Sequence, residues 1–116
     1  MNERDTVIIN KILAYCDEIK DTHTFFNNDK KLFFDKEHGF VYRNSITMPI
    51  LQIGELSKNL SDDFRTAYKD IPWRDVMGIR DIFAHHYGSL DYDMAWSTSK
   101  EDIENLRLVL EKVNHS

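Results

Sequence analysis

The chain has 116 residues, 41% of them hydrophobic and 30% charged, with four glycines and two prolines; that is enough for one domain with a modest core, and too few turn residues for an all-β chain of short strands. Lys and Arg number 15 against 20 Asp and Glu, leaving −5 at pH 7, so no global field attracts nucleic acid and any RNA or DNA site must be locally basic. A lone cysteine excludes an internal disulfide, the Asn2-Glu3-Arg4-Asp5 start is unlike a secretory leader, and no apolar run approaches the ~18 residues of a membrane span. The expectation is a cytoplasmic, all-α protein with a single domain over residues 1–116 and no membrane partner.

Val7, Ile8, Ile12, Tyr15, Cys16 and Ile19 recur at three- and four-residue steps, which predicts a first amphipathic helix over about residues 4–21, capped by Asp5 or Thr6, with Cys16 a small buried hydrophobe. The aromatic-rich stretch that follows holds Asn27-Asn28-Asp29 and Gly39 and reads as two short helical pieces, 23–27 and 30–36. Ile46, Ile50, Ile53, Leu56 and Leu60 predict a helix within 40–60. Pro49 lies inside that pattern and cannot donate its backbone hydrogen bond, so the helix either kinks there or starts close before it. A connector with one helical turn leads to Pro72, suited to the first turn of a helix over 73–87. A turn and short helix over 88–96 come next, and Thr98-Ser99-Lys100-Glu101 offers a capping box for a last helix with Ile103, Leu106, Leu110 and Val113. The architecture is a small antiparallel bundle of four main helices plus short helical turns.

The chemistry concentrates in "GIRDIFAHHYGSLDY", residues 78–92. At ~100° per residue, Trp73, Val76, Met77, Ile79, Phe83 and Ala84 fill one apolar arc, and Arg80 falls within it. A guanidinium held in a dry place must be satisfied by a carboxylate, carbonyls or a bound anion; the structural possibility is a stem packed on the apolar face with its head on Glu55 or Asp91. His85 is about 140° from Arg80 around a straight helix. The two meet one substrate only where the helix loosens at its end or a second copy supplies the other half. Tyr87 returns close to the Arg80 face.

The adjacent His85 and His86 lack metal-ligand spacing, so no metal is expected. A histidine at a helix C-terminus also interacts well with the helix dipole. His23, His38 and His115 fall in loops or at a terminus and carry no expected role, and Asp62-Asp63 and Asp91/Asp93 read as caps or solvated acids. "GELSK" lacks the glycines of a phosphate loop, and no cofactor motif is present.

Arg80-Asp81-Ile82-Phe83-Ala84-His85-His86-Tyr87 resembles the signature of the HEPN superfamily, and the tyrosine two residues after the histidine resembles its HepT-like branch. The context is more specific than the motif: "IPWRDVMGIRDIFAHHYGSLDYDMAW" is similar to the branch in its Pro-Trp, Gly-(Met/Ile)-Arg, His-x-Tyr, Asp and Trp order, and "IGELSKNLS" resembles its Ile-Gly-Glu segment. The likeness is clear over 50–113. Pro49 and the aromatic stretch depart from the family pattern in the middle of the chain, away from the motif.

The resemblance implies a toxin of a toxin–antitoxin pair, a metal-independent endoribonuclease working as a homodimer with the two motifs near the interface, and it leaves a higher oligomer open. It implies that His85 is general base or acid for attack by a ribose 2′-OH and that Arg80 holds the phosphate, with Asp81 and His86 as supporting residues. It also implies that Tyr87 takes AMP from a partner nucleotidyltransferase, the cognate antitoxin, which silences cleavage of RNA. These roles suit a side chain that titrates near neutrality and one that offers a planar fork to phosphate. The alternative is a non-catalytic helical subunit that docks a nucleotidyltransferase.

Overall fold

The computed structural model describes residues 1–85 and 91–114, with positions 82, 84 and 85 described by their backbone alone. All regular structure among the described residues is helical: α1 (Glu3–Phe25), α2 (Lys30–Phe33), α3 (Phe40–Lys58), α4 (Asp62–Ala67), α5 (Trp73–His85), α6 (Tyr92–Ser97), a π-helical turn (Thr98–Asp102) and α7 (Ile103–Asn114). No helix of these is long and apolar enough to cross a membrane.

α1 presents Ile8, Ile9, Ile12, Cys16 and Ile19 to Tyr42, Ile46, Ile50 and Ile53 of α3, all buried. The three-and-four spacing of both sets places each on one helical stripe, and removal of these stripes from water drives the packing. Cys16 lies inside this seam, where burial pushes its thiol up to about 12 and keeps it protonated. α3 packs against α5 on its other side, and α1 against α7. The start of α1 meets the end of α3 through Asp5 and Ser61, while His23 near its end meets Tyr42 near the start of α3, so the pair is antiparallel.

Local chemistry sets the helix ends, and several differ from expectation. α1 is capped by Asn2, whose Oδ1 accepts the Asp5 N–H at 2.7 Å, not by Asp5 or Thr6. Asp5 is 2% exposed and instead accepts from the backbone N–H and hydroxyl of Ser61, at 2.9 and 2.6 Å. Ser61 in turn caps α4 by accepting from Phe64 N–H. The first helix runs one turn past its periodic stripe, so His23 belongs to it and not to a loop. It ends at Asn27 and Asn28, with φ of 58° and 51°, a left-handed pair that asparagine tolerates well.

α3 runs unbroken through Pro49, which is buried in its interior. A start close before the proline is therefore wrong; two helical turns precede it, and burial of Tyr42, Ile46, Ile50 and Ile53 outweighs the one backbone bond the ring removes. Arg43, on the same helix, is 7% exposed and donates through Nη1 to the carbonyls of Phe33 and Asp35, each at 2.7 Å, while stacking on Tyr92. It ties the α2–α3 connection to the bundle.

The expected capping box at Thr98–Glu101 does not form. α6, the π turn and α7 follow one another without a gap, and Thr98 and Ser99 are buried. Ser99 donates its hydroxyl to the Trp96 carbonyl and bonds the His23 ring instead of capping a helix. The wide π turn accommodates that contact.

Candidate active site

Arg80 and Asp81 are on α5 where it crosses α3. Their surroundings come from the α3 segment Gly54-Glu55-x-x-Lys58. A Cβ at Gly54 would stand 2.7 Å from the Arg80 Cβ and 3.0 Å from its backbone nitrogen, closer than packed atoms tolerate. Glycine thus lets the two helices touch at the arginine. Gly54→Ala is expected to cost about 1–3 kcal/mol, the usual range for overpacking, read by urea denaturation; wild-type stability would mean that the helices part at no cost.

That close approach places Glu55 and Lys58 beside the motif. Arg80 Nε lies 3.4 Å from Glu55 Oε2, and its Nη1 lies 3.4 Å from Asp81 Oδ1. Lys58 Nζ is also 3.4 Å from Asp81 Oδ1 and 4.0 Å from Glu55 Oε2. Two cations and two carboxylates therefore alternate across the α3–α5 seam. Lys58, and to a lesser degree Arg80, hold the Asp81 carboxyl below the usual carboxylate range.

Arg80 is not dry. Its side chain is 41% exposed, so the guanidinium reaches solvent while its stem packs on Gly54. Of the two acids expected as partners, Glu55 is one; Asp91 instead caps α6 through the Met94 N–H. The two acids face Nε and Nη1 of Arg80, and a guanidinium so held can offer its other N–H groups to an anion.

α5 remains α-helical through His85, so positions 80 and 85 keep the separation of about 140° expected of a straight helix. A helix loosened before the histidine does not account for a shared site. His86 and Tyr87 lie outside the described residues, as does the predicted helix end at 87. Lys58 was not read from the sequence; the signal was its three-residue spacing from Glu55, on the segment already matched to the family.

On the far side of α5, an apolar groove of about 700 Å³ opens toward α7, with Gly78, Ile79, Ile103, Leu106 and Val109 in its walls. It borders the two residues that precede Arg80.

The proteins this chain resembles are named as ribonucleases. A protein of Methanocaldococcus jannaschii named "Putative RNase MJ1380" is 28% identical over 104 residues, covering 90% of this chain and 84% of its own. "Probable ribonuclease HepT" of Thermococcus cleftensis is 43% identical over 61 residues, 53% of this chain and 56% of its own. A second M. jannaschii protein, "Putative RNase MJ0125", is 29% identical over 106 residues, 88% of this chain and 84% of its own. No solved structure matches the chain. The model of the family described as "Ribonuclease HepT-like" matches residues 12–113, and the chain belongs to that family.

Proposed function

We propose that the protein is the toxin of a toxin–antitoxin pair and a metal-independent endoribonuclease, with Arg80 and His85 as its catalytic residues. The observation that carries the reading is the Arg80 guanidinium, half-exposed and oriented by Glu55 and Asp81, within a chain whose family match spans 12–113. In the proposed reaction the imidazole of His85 takes the proton of a ribose 2′-OH as that oxygen bonds to the adjacent phosphorus. The bond to the 5′-oxygen breaks, this oxygen gains a proton, and a cyclic phosphate and a free 5′-OH result. Arg80 binds the phosphate oxygens as their charge grows. Asp81 and Glu55 fix the plane of the guanidinium, and His86, next in the chain to His85, is proposed as a supporting residue.

An unbroken helix through position 85 favours a site completed by two copies, each supplying part of the catalytic set. The groove beside Gly78 and Ile79 supports the same arrangement, because a second chain seated there would come next to Arg80. Tyr87 is proposed as the acceptor of AMP from a cognate nucleotidyltransferase: phosphate and adenosine at that position add negative charge and bulk where the RNA backbone would pass.

The test is incubation of the purified protein with RNA in excess chelator. Wild type should cut and both Arg80→Ala and His85→Ala should not. No cleavage by wild type, or equal cleavage by all three, would reject the ribonuclease and favour a non-catalytic subunit that docks the nucleotidyltransferase. Incubation with that enzyme and ATP should add AMP to wild type; an adduct surviving Tyr87→Phe would place the modification elsewhere.

A further inference from the structure

At the opposite end of α1 from Asp5, a second group of cations faces rings and amides instead of acids. Lys30 Nζ lies 5.6 Å from the Phe34 ring centre and 6.0 Å from that of Trp96, and Lys100 Nζ lies 5.8 Å from Trp96. Neither lysine has a carboxylate partner within ion-pair distance among the described residues. Lys100 donates to Asn28 Oδ1 at 2.5 Å, and Asn28 is placed there by the left-handed turn that ends α1. Next to it, a cavity of about 290 Å³ is bounded by Lys20, Thr24, Asn28, Lys100 and Glu104, with the buried His23 and Ser99 at its floor.

Two acids share this corner and are held in part by other partners. Glu104 is 3.9 Å from Lys20 but gives both oxygens to Arg107, at 2.7 and 3.0 Å, and Asp29 caps α2. In a chain of net charge −5, three lysines thus meet at this corner beside Glu104 and Asp29, around a polar cavity and a half-buried indole. Two ammoniums beside one indole, near a polar cavity the size of a phosphate and sugar, match the needs of a single nucleic-acid strand: charge for the backbone and a ring face for a base.

We propose that Lys20, Lys30, Lys100, Asn28 and Trp96 form a subsite for single-stranded RNA, in which a phosphate enters the cavity between Lys20 and Lys100 and a neighbouring base stacks on Trp96. Trp96 is half-buried, its ring packed on His23, Phe33 and Tyr42, and an ammonium at its solvent edge is held weakly, so a lysine can leave the indole for a phosphate as the base takes its place. The subsite lies outside the Arg80 cluster and anchors the strand away from the bond being cut. It rests on the ribonuclease reading for its ligand.

The experiment measures binding of a fluorescein-labelled 2′-O-methyl oligouridylate, which lacks the attacking hydroxyl, together with cleavage of the unmodified strand in chelator. Lys30→Glu/Lys100→Glu should raise Kd about tenfold or more, and flatten the dependence of log K on log salt by about 1.4, two single-strand phosphate contacts. Its far-ultraviolet circular dichroism should match that of wild type, because Lys30 is exposed and Lys100 half-buried at the rim of the fold. Lys11→Glu/Lys112→Glu, with the same charge change farther along α1 and α7, should bind like wild type. If wild type binds and cuts and the two double variants bind alike, the subsite is overturned while the ribonuclease stands. If wild type neither binds nor cuts, the ribonuclease reading fails and takes the subsite with it.

Discussion

Arg80→Lys is expected to cut RNA about 10²-fold more slowly than wild type, although it keeps the positive charge. The reason lies in how the guanidinium is held. Nε faces Glu55 and Nη1 faces Asp81, each at 3.4 Å, so two donors of a rigid plane set its orientation and the remaining edge meets the phosphate. Lysine carries three donors on a rotating head and cannot keep both carboxylates while presenting a planar pair to phosphate oxygens. Its ammonium would settle between Glu55 and Asp81. On the proposed mechanism the loss is in kcat more than in KM, because the interaction strengthens as charge develops on the phosphate. Single-turnover cleavage rates at saturating protein check this; a lysine variant as fast as wild type would show that point charge alone suffices and that the acidic frame has no catalytic role.

The same frame explains why the region was only partly legible in the sequence. The helical wheel placed Arg80 among Val76, Ile79 and Phe83, and the expected conflict was a charge in an apolar face. In the fold, Val76 and Phe83 are buried, but Ile79 borders the open groove toward α7 and Arg80 edges past Gly54 to solvent. One arc seen from sequence is thus shared between a packed helix and an unfilled groove. A wheel gives angles around one axis and says nothing about which neighbour occupies each angle.

The deeply buried arginine is Arg43, whose satisfaction depends on two carbonyls in the α2–α3 connection, where no periodicity operates. Elsewhere, periodicity was sufficient: the isoleucine stripes of α1 and α3 and the Ile103, Leu106, Leu110 and Val113 face of α7 are buried as their spacing requires. Ends were harder to read because caps depend on single side chains. Ser61 and Asp91 behave as capping residues, but Thr98 and Ser99 carry the same local signal and are recruited by tertiary partners instead. The motif was legible because Arg80, Asp81 and His85 follow one another on a single helix. Glu55, Lys58 and Gly54, which surround it, come from α3.

His23 provides the largest stability effect. Its ring is 3% exposed, with Nε2 2.9 Å from Ser99 Oγ and Nδ1 2.5 Å from the Tyr42 hydroxyl. Ser99 gives its own hydrogen to the Trp96 carbonyl, so it accepts from His23; Nε2 therefore carries the proton and Nδ1 accepts from Tyr42. The site thus fits a neutral imidazole. A second proton would strip the Tyr42 hydroxyl of its acceptor inside the core. Burial, with a smaller contribution from Lys100, lowers the imidazole to about 4. The unfolded chain consequently takes up a proton between its ordinary value of 6.5 and about 4, where the folded chain does not. Stability is therefore level above that window and falls as pH drops through it, by up to about 3 kcal/mol. His23→Gln retains one donor and one acceptor but does not titrate, so urea unfolding across the window should show wild type losing stability relative to this variant as pH falls. Since both proteins share every other titrating group, including the depressed carboxyls of Asp35, Asp81 and Glu104, parallel curves would assign the acid sensitivity to those groups and show that the core accommodates an imidazolium.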